Sequence, residues 1–377
     1  MIGFQPYETF QILVESGGVS RAGTLLVAAC DAFVRRPRPT GSELAQFEAL
    51  AGRLFPAAAS PARQSAAKLL AASAHFSLAL ERLAFENIGD GLDAFIASAG
   101  AMSPQVQLEI VETKRASHCA LVAGRPDLAK NVLLKLFAIN SRTVYRALAA
   151  NRSLKFAGPF LGAIARAARM DHQVAATLAG REDFDQGLLA PAFFNLAEPG
   201  RLAVLRAFAA RRVPEMPLKR TYQQLSVAAS ELCRALMKLY YANRRPEITR
   251  LFTQITGLDE VRCGEIVHDR GGAALFVVLR AFGCNAGDGL KVLVHSTAHE
   301  PRPSRTLADY ARLFEQLSVD SMIFMMSIWR GDADLLTLTR PEYQPVGAAS
   351  ARTPAAAGER SAADRAIEIV QRIVAAG

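Results

Sequence analysis

The feature that most constrains this chain is a short phrase that occurs three times. AGRPDL at 123–128 is nearly repeated as AGREDF at 179–184, and AANRSL at 149–154 lies between them. The arginines of the three phrases are 27 and 29 residues apart. Glycine, and after it asparagine, readily ends a helix in the left-handed conformation. The glycine or asparagine of each phrase therefore predicts a helix end.

The residues after each phrase predict the start of the next helix. Pro126 and Asp127 suit a first helical turn, because proline needs no backbone donor there and a carboxylate complements the helix dipole. Ser153 is the predicted cap after the middle phrase. After the first phrase, apolar residues repeat at helical spacing and share one face. They are Leu128, Val132, Leu133, Leu136 and Phe137.

A unit of 27 to 29 residues has room for about two short helices and their turns. One such unit cannot bury its apolar face alone, so neighbouring units must stack. No alternation of the β type has useful length. We therefore predict an all-α fold of stacked short helices, a HEAT-like or armadillo-like right-handed solenoid with a flexible tail and a C-terminal helix. The alternative is coincidental repetition in an alanine-rich helical chain.

Composition supports this fold class and bears on location. Hydrophobic residues make up 51% of the 377 residues, which permits a large core, and aromatic residues only 7%. The most apolar short runs, 273–279 and 322–329, fall far below the ~20 residues of a spanning helix. MIGFQPYETFQILVES lacks a basic region and a long apolar run, so we expect no signal or transit peptide. Five scattered cysteines without CxxC predict reduced, buried thiols in the cytoplasm.

Breaks in the apolar pattern predict how the chain is organised. Helical periodicity covers about 20–36, 40–55, 61–87, 104–123, 221–243 and 306–329. Ser42 is the predicted cap of the second of these helices, and VPEMP at 213–217 divides two lobes. The predicted segments are 1–19 at the N-terminus, a helical-repeat lobe at 20–212, a second helical lobe at 218–340, a flexible linker at 341–362 and an amphipathic helix at 363–377.

The chain resembles the bacterial family named domain of unknown function 2336, whose members are helical-repeat proteins. The resemblance lies in LAFENI at 83–88, AGRPDL, LFAINSRTVYRALAANRSL at 136–154 and HQVAATLAGREDF at 172–184, and covers roughly 20–290. Asn140 departs from it, since an acidic residue is expected there. The resemblance implies a helical-repeat architecture in a bacterial cytoplasm. It supplies no catalytic residues.

A few residue pairs have spacings that invite a chemical interpretation. His295 and His299 in HSTAH would share a helical face, as two metal ligands do, but a third ligand and a glutamate base are missing. We expect them to be polar residues that close a helix. His118 beside Cys119, and Cys263 five residues before His268, are off-face pairs in which the cysteine is expected to pack. AFGCNAGDGLK at 281–291 matches no phosphate-binding loop and predicts a glycine-capped turn.

Charge is the most informative remaining feature. Between Lys114 and Arg220 there are 18 basic and 7 acidic residues, a local balance of +11, whereas the whole chain carries +9. In stacked repeats this excess gives a continuous basic surface. The alternatives are a solvated face that maintains solubility, and arginines that bond carbonyls at helix ends. The predicted interaction residues are Arg142, Arg146, Arg152, Arg166, Arg169 and Arg181.

These observations favour a non-enzymatic helical-repeat protein, a scaffold or regulatory adaptor that binds an acidic protein surface. The alternative is a nucleic-acid-binding protein, since a curved basic stack can hold a phosphate backbone without reading bases. An enzyme on a helical-repeat fold, such as a hydrolase of modified bases, ranks last because no acid, base or metal set is visible. We expect no catalytic residues, no metal and no cofactor; the sequence leaves the oligomeric state open.

Overall fold

The computed structural model describes residues 21–73, 75–211, 222–297 and 304–333. Their secondary structure is helical, and these ranges contain no β-strand. The prediction of an all-α fold is therefore confirmed for the described part of the chain.

The contacts divide the chain into two compact units, Met1–Ile164 and Ala165–Gly377, called unit 1 and unit 2 below. The predicted boundary between lobes is 213–217, between segments 20–212 and 218–340. The structure does not describe 213–217, so that boundary stays a prediction. The predicted N-terminal segment, linker and terminal helix, at 1–19, 341–362 and 363–377, also lie outside the described residues.

Short helices follow one another closely through the described part of unit 1. They are α1 (Ala22–Val34), α2 (Gly41–Ala57), α3 (Ser60–Ala71), α4 (Leu78–Asn87), α5 (Leu92–Ser98), α6 (Pro104–Glu112), α7 (Ala116–Ala123), α8 (Lys130–Ala138) and α9 (Arg142–Ala150), with a single 3-10 turn at Gly89–Gly91 before α5.

Each helix from α1 to α7 packs against the helix two positions further along the chain. The odd-numbered helices α1, α3, α5, α7 and α9 contact one another in succession, and so do α2, α4, α6 and α8. A β-carbon at Gly23 would lie only 3.0 Å from the Cβ of Ala62, so glycine permits the close approach of α1 and α3. Between the rows, Phe33 stacks on Phe47 with ring centroids 4.2 Å apart. Unit 1 is thus two rows of helices with a shared core.

Two long helices predicted from the apolar pattern are each broken in the structure. The predicted 61–87 helix is α3 and α4, and Ser77 caps α4 by accepting a hydrogen bond from the Leu80 amide. The predicted 104–123 helix is α6 and α7, because Lys114 adopts a left-handed φ of 54° between them. The predicted cap Ser42 is also wrong. Thr40 caps α2 in a capping box with Glu43.

A buried arginine joins the ends of α5 and α7. Arg125, just beyond α7, is 5% exposed and donates from Nη1 to the carbonyls of Ile96 at 2.8 Å and Ala99 at 2.9 Å. Its Nε and Nη2 donate to the two carboxylate oxygens of Asp127, both at 2.8 Å. Asp127 also accepts from the Met102 amide at 2.8 Å. We call a side chain that bonds main-chain carbonyls of the preceding repeat in this way a latch.

The middle phrase provides the next latch with a different residue. The Asn151 amide donates to the carbonyls of Ala123 at 3.0 Å and Arg125 at 2.7 Å, 28 and 26 residues earlier. Asn151 is 7% exposed. In unit 2, Asn195 makes equivalent bonds to Ala168 and Arg169, 27 and 26 residues earlier. Successive phrases are therefore separated by about as many residues as the donor and the acceptors of each latch.

The predicted left-handed helix ends are wrong. Gly124, Asn151 and Gly180 have φ values of −77°, −71° and −84°. Nor do Pro126 and Asp127 start a helix, since Arg125 binds the Asp127 carboxylate and α8 begins at Lys130. Ser153 does not cap the next helix, which begins at residue 159. The phrases mark helix ends, as predicted, but the arginine or asparagine side chain secures them.

Unit 2 continues with helices and one long 3-10 segment. Its described elements are α10 (Pro159–Met170, which begins in unit 1), α11 (His172–Ala179), the 3-10 segment Gln186–Asn195, α12 (Glu198–Ala209), α13 (Tyr222–Tyr241), α14 (Arg245–Thr256), α15 (Glu260–Val267), α16 (Ala273–Ala281), α17 (Ala286–His295), α18 (Ser304–Gln316) and α19 (Val319–Arg330).

The core of unit 2 surrounds α16. Every residue of this helix except Arg280 is buried, and it packs against α12, α15, α17 and α19. A helix that is apolar all round belongs in a core rather than at a surface. The predicted 306–329 helix is two helices, α18 and α19, because Ser318 caps α19 through the Ser321 amide at 3.0 Å.

We expect Arg125→Met to destabilise the protein by about 3–5 kcal/mol, because it leaves a carboxylate and two helix-end carbonyls without their donor. The matched control is Arg115→Met, which removes an exposed arginine that makes no ion pair with a described residue and should change stability by less than ~0.5 kcal/mol. Urea unfolding followed by far-ultraviolet circular dichroism measures both. Equal midpoints for the two variants would rule out a stabilising role for this latch.

The same latch should weaken in acid. Partial burial alone would raise the pKa of the Asp127 carboxyl, but hydrogen bonds from Arg125 and the Met102 amide lower it on balance. Because the folded carboxyl has the lower pKa, ionised Asp127 stabilises the fold at any pH above the pKa of the same group in the unfolded chain, about 3.9. This stabilisation is lost as the pH falls through the pKa of the folded carboxyl. The stability difference between wild type and Asp127→Asn should therefore shrink below about pH 4. A difference that is independent of pH would contradict the assignment.

Candidate interaction surface

The stretch from 113 to 164, called the basic segment below, has an unusual charge pattern. It contains nine basic residues and a single acidic one, Asp127. That carboxylate is held by buried Arg125 and is unavailable to other cations. The remaining cations are Lys114, Arg115, Lys130, Lys135, Arg142, Arg146, Arg152 and Lys155. All of them are exposed except Arg146, which is half-buried.

The outer face of α8 combines cations with an apolar side chain. Lys130, Leu134 and Lys135 are exposed, and Lys130 and Leu134, four residues apart, are neighbours on the helix surface. Leu134 is 51% exposed, although leucine is usually buried. Neither lysine forms an ion pair with any described residue, so this face offers free charge beside apolar area.

Three successive helices of the basic segment begin at a cation. Arg115 is the N-cap of α7, and Lys130 and Arg142 are the first residues of α8 and α9. None of the three helices has an acidic residue in its first turn. The helix dipole favours anions there, so these cations oppose local stability and add to the positive potential of the helix ends. Stability of the helices does not account for this placement.

Of the predicted interaction residues in unit 1, Arg142 and Arg152 are exposed and Arg146 is half-buried. Arg142 and Arg146 are four residues apart in α9 and lie on one helical face. Arg166 and Arg169 are exposed on α10 in unit 2, three residues apart, beside Met170, which is 71% exposed. Each unit thus carries part of the predicted set.

Arg181 does not belong to an exposed surface, and its prediction as an interaction residue is wrong. It is 1% exposed, and its Nε and Nη2 donate to the two carboxylate oxygens of Asp183 at 2.9 and 2.7 Å. Burial of a guanidinium requires such a paired carboxylate. Arg181 repeats the arrangement of Arg125 with Asp127, two residues further along in both cases.

Five further cations are at the surface although they were not among the predicted interaction residues: Lys114, Arg115, Lys130, Lys135 and Lys155. Their signal was present in the sequence, since no acidic residue other than Asp127 occurs between 113 and 164. The exposure of Leu134 was not predicted either. Leu134 is absent from the predicted apolar face of α8, and this off-face position is the signal for its exposure.

The residue pairs considered for catalysis or metal binding do not form a site among the described residues. No group of three or more His, Cys, Asp or Glu side chains there could hold a metal ion. His295 is exposed and its Nδ1 lies 2.8 Å from the Lys291 carbonyl, while His299 lies outside the described residues. His118 contacts Asp93 at 3.1 Å, whereas Cys119 donates to the Val111 carbonyl.

The second cysteine–histidine pair and the glycine-rich turn are also structural. Cys263 donates to the Leu258 carbonyl, and the Nδ1 of His268 lies 2.9 Å from the Gly264 carbonyl. In AFGCNAGDGLK, Gly283 has a left-handed φ of 79° and Asn285 caps α17 through the Asp288 amide. The predicted glycine-capped turn is therefore confirmed.

All five cysteines are free and buried. Burial raises the pKa of the Cys30 thiol to about 12. Cys233 and Cys284 are neighbours, with their Sγ atoms 3.0 Å apart. The hydrogen bond to Cys233, together with burial, raises the pKa of Cys284 well above its ordinary value. The Cys30 and Cys284 thiols are therefore neither ionised near neutral pH nor accessible, and both properties are needed for reactivity.

We expect 5,5′-dithiobis(2-nitrobenzoate) to label the native protein slowly at all five cysteines, and rapidly after unfolding in guanidinium chloride.

The raised pKa of Cys30 also predicts that stability falls as pH rises from about 8.5, where the unfolded thiol ionises, toward the pKa of the folded thiol. Cys30→Ala should show a smaller loss of melting temperature over this range. Fast labelling of Cys30 in the native protein would contradict both expectations.

The fold and this surface define a protein whose described residues are all-α, with two rows of short helices and an exposed basic segment in unit 1. A family model described as an uncharacterised protein conserved in bacteria, domain of unknown function 2336, matches residues 107–327. The chain belongs to this family, as its sequence indicated, although the match starts and ends later than the 20–290 of the resemblance. Comparisons with curated proteins and with solved structures found no match. Among the described residues, every helix is too short or too polar to cross a membrane.

Proposed function

We propose that the protein is a non-enzymatic interaction protein, a scaffold or regulatory adaptor, whose basic segment binds an acidic protein surface. The observation that carries this proposal is that seven exposed cations occur in a stretch whose only carboxylate is held by buried Arg125. A local excess of one charge attracts surfaces of the opposite charge and accelerates their association.

An acidic protein fits this surface better than a nucleic acid does. Leu134 adds exposed apolar area beside Lys130, as the apolar centre of a protein interface requires. Three aromatic side chains of the segment are held in contacts within it: Phe137 stacks on Phe160 at 5.5 Å, and the Tyr145 hydroxyl donates to the Phe137 carbonyl. They are therefore unsuited to stack on bases. A phosphate backbone bound through charge alone is the second candidate.

We also propose that the two rows of unit 1 are a HEAT-like or armadillo-like stack with a right-handed superhelical course. The contacts between helices two positions apart and the latches at 26 to 29 residues support repeats of one helix pair each. An experimental structure tests this. Neighbouring odd-numbered helices that cross at steep angles, or a left-handed course, would contradict it.

The five buried free thiols favour a reducing compartment, and we propose the cytoplasm. Fractionation of cells that express the tagged protein tests this location. Recovery of the protein in a periplasmic or secreted fraction would refute it.

The interaction is tested by reversing three free charges of the basic segment together: Lys130→Glu, Lys135→Glu and Arg142→Glu. Exposed ion pairs contribute only ~0.2–1 kcal/mol each, so single changes should have little effect. The triple variant should bind partners captured from cell extract about tenfold more weakly, chiefly through slower association, with a reduced dependence on salt. Surface plasmon resonance with the purified partner over a sodium chloride series measures this. Arg166→Glu with Arg169→Glu tests α10 separately.

The matched control is Arg234→Glu, Lys238→Glu and Arg250→Glu, three exposed cations of unit 2 that make no ion pair with a described residue. It changes the net charge equally but should retain the partner. Equal losses in both triple variants would mean that net charge alone attracts the partner, and unchanged binding would leave the basic segment a solvated surface. Loss of capture after nuclease treatment would favour the nucleic-acid function.

A further inference from the structure

An acidic block lies immediately before the basic segment. Residues 83–112 contain five carboxylates and no lysine or arginine, whereas 113–164 contain nine basic residues and one acidic one. Two of the five carboxylates are paired within unit 1. The other three are exposed and form no ion pair with a described residue: Glu86, Asp90 and Glu112. Unit 1 therefore carries free charge of both signs, separated along its sequence.

The starts of α5, α7 and α9 lie along one edge of unit 1. These helices pack side by side, and the latches join their ends, from Arg125 to α5 and from Asn151 to α7, so they run in the same direction. Their starts therefore lie together at the opposite edge. The contact of 3.1 Å between Asp93 in α5 and His118 in α7 agrees with this placement. We call this edge the turn edge; it consists of the turns at 86–92, 112–116 and 138–142.

The sign of the free charge changes along the turn edge. Its acidic end, at the turn before α5, carries Glu86 and Asp90. Its basic end carries Arg142 at the start of α9 and Lys135 in the last turn of α8. Packed helices lie ~8–10 Å apart, so the two ends are separated by about 20 Å, more than the screening length of ~8 Å in physiological salt. The two ends therefore do not neutralise each other.

We propose that the turn edge binds the turn edge of a second copy of this chain, in an antiparallel dimer with two-fold symmetry. The acidic end of each copy then faces the basic end of the other, so one two-fold axis pairs both ends at once. The middle turn lies on that axis, where Glu112 of each copy is matched by exposed Arg115 of the other.

This inference rests on the proposed function, because it names the acidic protein surface that the basic segment binds. A different acidic protein would use the basic end alone and would leave the acidic end of the same edge without a role. A nucleic acid along this edge would be repelled by the acidic end. A second copy is the partner that matches both ends.

The test is sedimentation equilibrium of the full-length protein over a concentration series. Wild type should form monomers and dimers, and the dissociation constant of the dimer should rise with sodium chloride because exposed ion pairs are screened. Two variants that each reverse one end should dimerise about tenfold or more weakly. They are Glu86→Lys with Asp90→Lys, the acidic-end variant, and Lys135→Glu with Arg142→Glu, the basic-end variant.

A mixture of the two variants is the decisive sample. One variant has an edge that is positive at both ends, and the other has an edge that is negative at both ends. An equimolar mixture should therefore form a heterodimer about as tightly as wild type forms its dimer, although neither variant dimerises well alone. A variant that has merely lost its fold would not regain binding in this way. Failure of the mixture to dimerise would overturn the inference.

The matched control is Glu260→Lys with Glu315→Lys, which reverses two exposed carboxylates of unit 2 that are unpaired among the described residues. It changes the net charge as much as the acidic-end variant does, and it should dimerise like wild type. A wild type that stays monomeric up to ~1 mM, or that forms species larger than a dimer, would refute the two-fold dimer. If that monomer still captures an acidic protein from cell extract, the proposed function survives; if it captures none, the proposed function fails as well.

Discussion

Hydrogen bonds from one repeated phrase to the main chain of the preceding repeat hold α5, α7 and α9 of unit 1 in register. These helices are short, α5 having seven residues and α7 eight, and isolated helices of such length are unstable in water. Each also ends with carbonyls that have no partner within the helix. Arg125 and Asn151 supply buried donors to those carbonyls. Arg125 and Asn151 therefore satisfy helix ends and also hold the helices in the positions in which their apolar faces pack.

The repeated phrase was visible in the sequence, whereas its mechanism was not. Helix ends, apolar faces and an all-α fold follow from local patterns, and these were predictable. The acceptors of Arg125 lie 26 and 29 residues away, and local patterns do not reveal distant carbonyls. Helix breaks without proline or glycine were missed for a related reason. The apolar period continues through Lys114, although the backbone of this residue is left-handed and ends the helix.

The candidate surface was predictable in charge but only partly in residues. A count of charges does not separate buried arginines from exposed ones. The structure shows which local feature does: Arg125 and Arg181 are each followed two residues later by an aspartate that pairs with them, and both are buried. Arg152 is followed at that spacing by Leu154 and is exposed. The Arg-x-Asp spacing within the phrase therefore distinguishes a structural arginine from a surface one.

This difference links the architecture to the surface charge. A latch made by arginine introduces a buried charge and requires a carboxylate beside it, as Asp127 shows. The middle phrase uses Asn151, whose neutral amide donates to two carbonyls without any counter-ion. No second aspartate is then needed, and the adjacent Arg152 is exposed at the surface. The choice of asparagine at one latch is thus one reason why the segment from 113 to 164 keeps its helix ends satisfied and still carries a single acidic residue.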